Sequence, residues 1–206
     1  MRNKFPDSIG FRDLLNLPEP SWFSSLPDLE TPRLLLRKIR LRDAADIYAY
    51  ASDPQVARYV LWEPHRDVRE TRNYIRAIRR QYRQGLPSSW GIELKAEKKV
   101  IGSIGYMWVS AENRSAEIGY SLARPFWNQG LMTEALRRVL ESAFTDLKLH
   151  RVEAQHDLRN PASGRVMEKC GMRREGILRS RIFNKGEYVD TALWAVLRTD
   201  LFPPDC

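Results

Sequence analysis

Between Trp127 and Thr133 the chain reads WNQGLMT. This segment joins an apolar, strand-like run, EIGYSL, to a long helical pattern, LMTEALRRVLESAFTDL. A helix N-terminus leaves its first backbone N–H groups without partners and carries partial positive charge, so an anion can dock there. Gly130 at that point would let the backbone approach a phosphate with no Cβ in the way, and Thr133 adds a hydroxyl in the first turn. A lone glycine before a helix also reads as a plain turn residue. About thirty residues on, NPASGRVMEKCGM places Asn160 and Ser163 at the start of a second helix, directly after a strand. Asn160 there also reads as an ordinary helix cap. Neither G-x-x-x-x-G-K-[ST] nor G-x-G-x-x-G occurs, so the usual nucleotide loops are not supported.

Other reactive side chains are sparse. Glu117 lies on the strand before the WNQGLMT loop, and His156 ends the strand after the long helix. Each is a candidate general base, directly or through water. Each has a plainer reading too, Glu117 as a surface charge on an alternating strand and His156 as a structural histidine. No Ser-His-Asp or Cys-His constellation is evident.

The elements that must position these residues follow from periodicity. Residues 33–39, RLLLRKI, read as a strand. Residues 41–53 read as a helix with Ala44, Ile47, Tyr48 and Ala51 on its apolar face, and residues 53–60 as a short second helix. Residues 67–85 read as a helix capped by Asp67, with Glu70 three residues on in a capping-box pattern and Gly85 at its end. SWGIELKA and KVIGSIGYMWVS are strands joined across EKK, and AEIGYSL follows the turn ENRS. After the helix over 131–147 come the strand HRVEAQHD and a helix over 160–171, with Asn160 as cap, Pro161 at its first position and Gly171 at its end. A hairpin then turns at Asn184-Lys185-Gly186. The fold class expected is α/β of the α+β kind: a mixed, mostly antiparallel sheet with flanking helices and one strand–helix–strand unit.

The whole chain has 206 residues, 43% hydrophobic and 29% charged, enough for one domain with a sizeable core. Residues 1–29, rich in Pro, Ser and Asp, read as an N-terminal extension that packs on the domain or on a partner; residues 30–206 form the domain. The N-terminal segment lacks the apolar core of a signal peptide, and no apolar run approaches the ~18 residues of a membrane span. Two cysteines, Cys170 and Cys206, give no disulfide framework, which fits a reducing, cytoplasmic setting. The net charge of +8 is compatible with a solvated basic surface or a polyanionic partner. Residues 76–84, RAIRRQYRQ, have the spacing of an exposed helix face, and no nucleic-acid motif is recognisable, so direct nucleic-acid binding is not expected.

Taken together, EIGYSLARPFWNQGLMTEAL and NPASGRVMEKCGM resemble the GNAT family of acetyl-CoA-dependent N-acetyltransferases. ETPRLLLRKI and the N..S...MEKCGM pattern resemble its RimJ/RimL branch, which includes acetyltransferases of ribosomal-protein N-termini. The resemblance spans roughly residues 28–198. The common phosphate loop of the family has Gln or Arg, two residues, Gly, one residue, then Gly or Ala; here those positions hold Trp127, Gly130 and Met132. The resemblance implies a GNAT-like sheet with one splayed strand pair, EIGYSL against RVEAQH, and no metal. The pantetheine arm of acetyl-CoA would lie in the gap, contacting Tyr120 and Leu122, where a backbone N–H stabilises the oxyanion. Trp127, Asn128, Gln129, Gly130, Leu131, Met132 and Thr133 would hold the pyrophosphate, largely through the backbone, with Asn160 and Ser163 on the second helix. The amine attacks directly, with no acyl-enzyme, and Ser163 supplies a hydrogen bond or proton to the leaving thiolate. A glutamate used by some ribosomal N-acetyltransferases falls near Ile182 here, which puts a base from that strand in doubt. The segment YVLWEPHRD, with Trp62, Glu63 and His65, is expected to line the acceptor side, although a packed loop is the equal alternative. An α-amine, pKa about 8, loses its proton more easily than a lysine at about 10.4, a difference of roughly 3 kcal/mol. A protein N-terminus is therefore the expected acceptor. A small-molecule amine (amino acid, polyamine or drug) and a non-catalytic acetyl-CoA-binding module remain alternatives. A homodimer is left open.

Overall fold

The computed structural model describes residues 21–202. Eight strands form one sheet: β1 (Leu29–Glu30), β2 (Leu34–Lys38), β3 (Ser89–Leu94), β4 (Lys99–Ser110), β5 (Ser115–Leu122), β6 (Arg151–Asp157), β7 (Arg173–Asn184) and β8 (Glu187–Leu197). Their order is β1-β2-β3-β4-β5-β6-β8-β7. Every neighbouring pair is antiparallel except β5 and β6, which are parallel. That one parallel step needs a crossover, supplied by α5 (Leu131–Thr145).

The β5–β6 pairing is short. It runs only from Ser115↔Arg151 to Glu117↔Glu153. Beyond that point β5 stays with β4 as far as Leu122↔Gly102, and β6 stays with β8 as far as Asp157↔Thr191. Each strand is held by its outer neighbour, so the two diverge and open a fork.

The remaining helices are α1 (Ser21–Ser25), α2 (Ala44–Ala51), α3 (Pro54–Ala57), α4 (Val68–Gln84), α6 (Pro161–Lys169) and α7 (Arg198–Leu201). The helices α5 and α6 share one face of the sheet. The apolar residues Leu131, Ala135, Leu136, Val139, Leu140, Ala143 and Phe144 of α5 are all buried there. Fully burying a Leu or Phe contributes about 2 kcal/mol each, which fixes the rotation of α5. The helices α2 and α4 cover the opposite face, where Tyr50 and Tyr74 turn toward Ser103 of β4. Tyr50, not Tyr48, completes the buried stripe of α2; Tyr48 is half-buried and its hydroxyl donates to the Arg66 carbonyl at 3.3 Å.

Two capping expectations change in detail. Asp67 caps α4 by accepting from the Glu70 N–H at 2.8 Å, but the Glu70 carboxylate accepts from the N–H of Arg66, one residue short of the capping-box position. Asn160 occupies the N-cap position of α6 with no side-chain cap bond; its carbonyl accepts from the Ser163 N–H at 3.2 Å. Pro161 at the first helical position lacks an N–H and so leaves the helix start one orphan donor fewer. The hairpin turns as expected, with Lys185 at φ 52° and Gly186 at φ 90°, the two positive φ values of a type I′ turn.

Phe23, Leu26 and Leu29 are buried in the core, and β1 pairs with β2, so the packed body reaches back at least to Trp22. Residues 1–20 of the expected N-terminal extension lie outside the described residues. Among the described residues no helix is long and apolar enough to cross a membrane.

Candidate functional site

The loop between β5 and α5 is built by local braces. Asn128 (φ 60°) and Gly130 (φ 74°) are both left-handed, so the chain reverses sharply before entering the helix. The Trp127 indole donates to the Leu122 carbonyl at 2.7 Å, tying the loop to the end of β5. The Gln129 amide donates to the Pro125 carbonyl at 2.8 Å. From the far end of the sequence, Arg33 donates to the Gln129 carbonyl at 3.0 Å and to Glu134 at 2.6 Å, and the Thr31 hydroxyl donates to Glu134 at 2.6 Å. Burial opposes the charge on Glu134, but the bonds from Thr31 and Arg33 outweigh it and hold the carboxyl below its ordinary range.

Gly130 is the N-cap of α5 and provides no side-chain cap. Among the described residues no acceptor meets the N–H groups of Gly130, Leu131, Met132 and Thr133, while the Glu134 N–H bonds to the Gly130 carbonyl at 3.0 Å. Four donors at the positive end of a fifteen-residue helix make an anion seat. A Cβ at Gly130 would meet nothing closer than Arg33 at 3.7 Å, so the glycine serves the positive φ rather than a crowded wall.

This seat opens into a cleft of about 630 Å³ between the fork, α3, and the N-terminal ends of α5 and α6. Tyr120, Leu122, Trp127, Asn128, Gly130, Leu131, Met132, Thr133, Asn160 and Ser163 all line it. Tyr120 reaches across the fork to α6: its hydroxyl donates to the Ser163 carbonyl at 3.0 Å and accepts from the Ser163 hydroxyl at 3.0 Å. Burial pushes the Tyr120 phenol far above its ordinary range, so it stays neutral.

Other expected residues lie elsewhere. Gln129 does not line the cleft; its side chain braces the loop from outside. His156 is pressed under α6, with Nδ1 2.8 Å from the Asp157 carbonyl and its other nitrogen where a Cβ on Gly164 would come within 2.7 Å. It does not line the cleft and supports the seating of α6 on β6. Glu117 stands at the base of the fork on the opposite face. Trp62, Glu63 and His65 are also absent from the lining. His65 Nδ1 is 2.9 Å from the Thr71 hydroxyl, its ring packs between Trp62 and Tyr74, and burial lowers its pKa; Glu63 is exposed. The segment does reach the cleft, but through Tyr59 and Val60. The hairpin tip clasps that wall: Asn184 donates to the Val60 carbonyl at 3.3 Å and Lys185 to the Ala57 carbonyl.

Sequence reading missed Arg165 and Lys169, which bring two cations one helical turn apart to the cleft wall. Their signal was the i, i+4 spacing two residues after Ser163. It also missed Gln55 and Val56 of α3, which carry no chemical signature.

A strand fork opening onto a helix N-terminus, with spare N–H donors and two nearby cations, has the shape and charge to take an elongated, anionic ligand. The chain belongs to the GNAT acetyltransferase family: residues 33–173 match the model of the acetyltransferase (GNAT) domain. It is similar to the uncharacterized N-acetyltransferase p20 of Bacillus licheniformis, at 34% identity over 84% of this chain and 97% of that protein. It is 28% identical to the ribosomal protein uS5-alanine N-acetyltransferase of Escherichia coli K12, over 85% of this chain and 93% of that one. Among solved structures, a GNAT-family acetyltransferase from Bacillus anthracis has a TM-score of 0.75 at 29% identity, covering 84% of this chain and 99% of its own. The chain is therefore an acyltransferase with the mixed, mostly antiparallel sheet of that family.

Proposed function

We propose that the protein transfers the acetyl group of acetyl-CoA to the N-terminal α-amine of a protein. The observation that carries this reading is the set of four N–H donors from Gly130 to Thr133 facing a cleft that continues into the β5–β6 fork. The pyrophosphate would sit on those donors, with Arg165 and Lys169 adding charge. The pantetheine arm would enter the fork, along strand-edge groups of β5 that have lost their β6 partner. Acetyl-CoA supplies the activated acetyl group. The chain's residues supply orientation and hydrogen bonds.

A thiol of the cysteine type has a pKa near 8.5, so the coenzyme can leave as thiolate and needs mainly a hydrogen bond. Ser163, on the cleft wall, would give one. In the structure that hydroxyl is donated to Tyr120; turning it to the sulfur releases this bond, while Tyr120 keeps its own to the Ser163 carbonyl. The acceptor class rests on two supports: the lower pKa of an α-amine, and the kinship with an enzyme named for alanine N-acetylation of a ribosomal protein.

The test is thermal shift and calorimetry with acetyl-CoA, then CoA release with Ala- and Ser-initiated peptides against free amino acids and spermidine. Peptide turnover above the small amines is expected. Turnover with small amines alone would reject the acceptor, and no binding of acetyl-CoA would reject the whole reading.

A further inference from the structure

Glu117 is the last residue of β5 still paired with β6, opposite Glu153. Side chains alternate along a strand, so Glu117 projects from the face opposite Tyr120 and the cofactor cleft. The two facing carboxylates are treated differently. Glu153 is neutralised by Arg151 at 2.6 Å. Glu117 has no cationic partner among the described residues. It accepts from the Trp108 indole at 2.7 Å and from the Gln155 amide at 3.0 Å, both neutral donors.

Gln155 lies two residues beyond the last paired residue of β6, so its side chain bridges the fork at its narrow end. Its own orientation is set from β8. The Thr191 hydroxyl donates to Gln155 Oε1 at 3.0 Å, which turns the amide nitrogen toward Glu117. Thr191 is only 2% exposed, so this last link is held by the core. Four strands thus give one residue each to a chain that ends on an uncompensated carboxylate. A carboxylate offers about four acceptor sites, and two here are used. The others remain for a donor from outside.

We propose that Thr191 and Gln155, with Trp108, are positioning residues that hold the Glu117 carboxylate at the base of the fork to receive the proton of the acceptor amine. This rests on the acetyl-transfer reading above. The amine gives one proton to Glu117, its nitrogen bonds the acetyl carbon, the C–S bond breaks, and the electron pair leaves on sulfur, which takes a proton from solvent. The acceptor reaches the fork from the face opposite α5 and α6, while the donor comes from the cleft side.

The experiment is steady-state kinetics on Glu117→Gln, Thr191→Val, Thr191→Ser, Gln155→Leu and the double variant Glu117→Gln/Thr191→Val, with acetyl-CoA and an Ala-initiated peptide. General-base catalysis is worth about 10²–10⁴-fold, so E117Q should lose kcat on that scale. T191V and Q155L should lose about tenfold in kcat with KM for acetyl-CoA unchanged, and T191S should restore the wild-type value. The double variant should be no slower than E117Q alone, because the relay acts only through that carboxylate. Circular dichroism and Tm on each variant separate misfolding from mispositioning, and Q155L carries the test if T191V does not fold. A T191V loss that persists in full on the E117Q background, or a T191S value equal to T191V, overturns the proposal. Wild-type turnover with an unaffected E117Q overturns it while leaving the acetyl-transfer reading intact. Absence of acetyl-CoA turnover by the wild type overturns both.

Discussion

Gly130 separates two physical accounts of the phosphate loop. Its φ of 74° lies in the left-handed region, where a Cβ costs roughly 1–2 kcal/mol for most residues. The space around it is open, with Arg33 3.7 Å from an ideal Cβ. Gly130→Ala should therefore act through conformation. If the free loop relaxes to a negative φ, acetyl-CoA must pull it back, and the dissociation constant rises roughly 5- to 30-fold, since about 1.4 kcal/mol is tenfold. If the Arg33–Glu134 brace holds the loop, the same energy appears as lost stability. Gly130→Asn should do less harm than Ala despite its greater bulk, because Asn tolerates the left-handed region better. Calorimetry with acetyl-CoA and urea unfolding on the three proteins would read the sum of the two terms. If the glycine instead spares room for the pyrophosphate, as the sequence alone suggests, Asn would be the worse substitution. A ranking of wild type, Ala, then Asn in affinity would refute the conformational reasoning.

Further outcomes follow from other parts of the molecule. Replacing Arg165 or Lys169 with Ala should weaken acetyl-CoA binding by about tenfold each, the scale of one charge-assisted bond, and the loss should shrink at 1 M salt, where screening acts within about 3 Å. Asp43→Ala should destabilise the fold by about 3–5 kcal/mol in urea unfolding, because Arg37 is 4% exposed and loses bidentate contacts of 2.8 and 2.9 Å; a loss under 1 kcal/mol would show that Glu93 alone suffices. Glu134 has a depressed carboxyl pKa, so its contribution is present above the unfolded value of about 4.3 and disappears as pH falls through the lower folded value; Glu134→Gln should flatten the acid limb of stability against pH. Burial pushes the Cys170 thiol up to about 11, so peptide mapping after iodoacetamide treatment of native protein at pH 7.5 should find it unmodified.

Elements with strong periodicity were legible in the sequence: α4, α5 and the β3–β5 meander follow from spacing and turn residues. The short β1 strand was not, because two residues carry no period, and it depends on pairing with β2. At the site, the helix start with its unpaired N–H groups was legible because Gly130 marks it. Which residues of the 59–67 segment face the cleft was not legible. Trp62 and His65 are conspicuous in sequence, yet burial against Tyr74 and Thr71 takes them inward and leaves Tyr59 and Val60 to face the cleft. Residue type signals chemistry, while exposure depends on packing that a single sequence does not display. Trp127 shows the converse. It departs from the common phosphate loop, and its indole fixes the loop to Leu122, a job that side-chain identity serves directly.

Two motif strings a hundred residues apart turn out to be one device. ETPRLLL contributes Thr31 and Arg33, and WNQGLMTEA contributes Gln129 and Glu134, and the bonds among these four fix the loop whose N–H groups face the cleft. Binding through backbone donors places no direct demand on their side chains, so what must be specified is the path of the chain. That path is specified by residues outside the cleft. The same logic holds at the fork, where β4 and β8 determine the gap between β5 and β6 by holding each strand on its outer edge. A perturbation of Arg33 should therefore weaken cofactor binding without touching the cofactor, and a charge-reversed pair, Arg33→Glu with Glu134→Arg, should recover part of what either change loses alone. The bonds that the Thr31 hydroxyl and the Arg33 backbone N–H donate to Glu134 limit that recovery, because an arginine at 134 can accept neither.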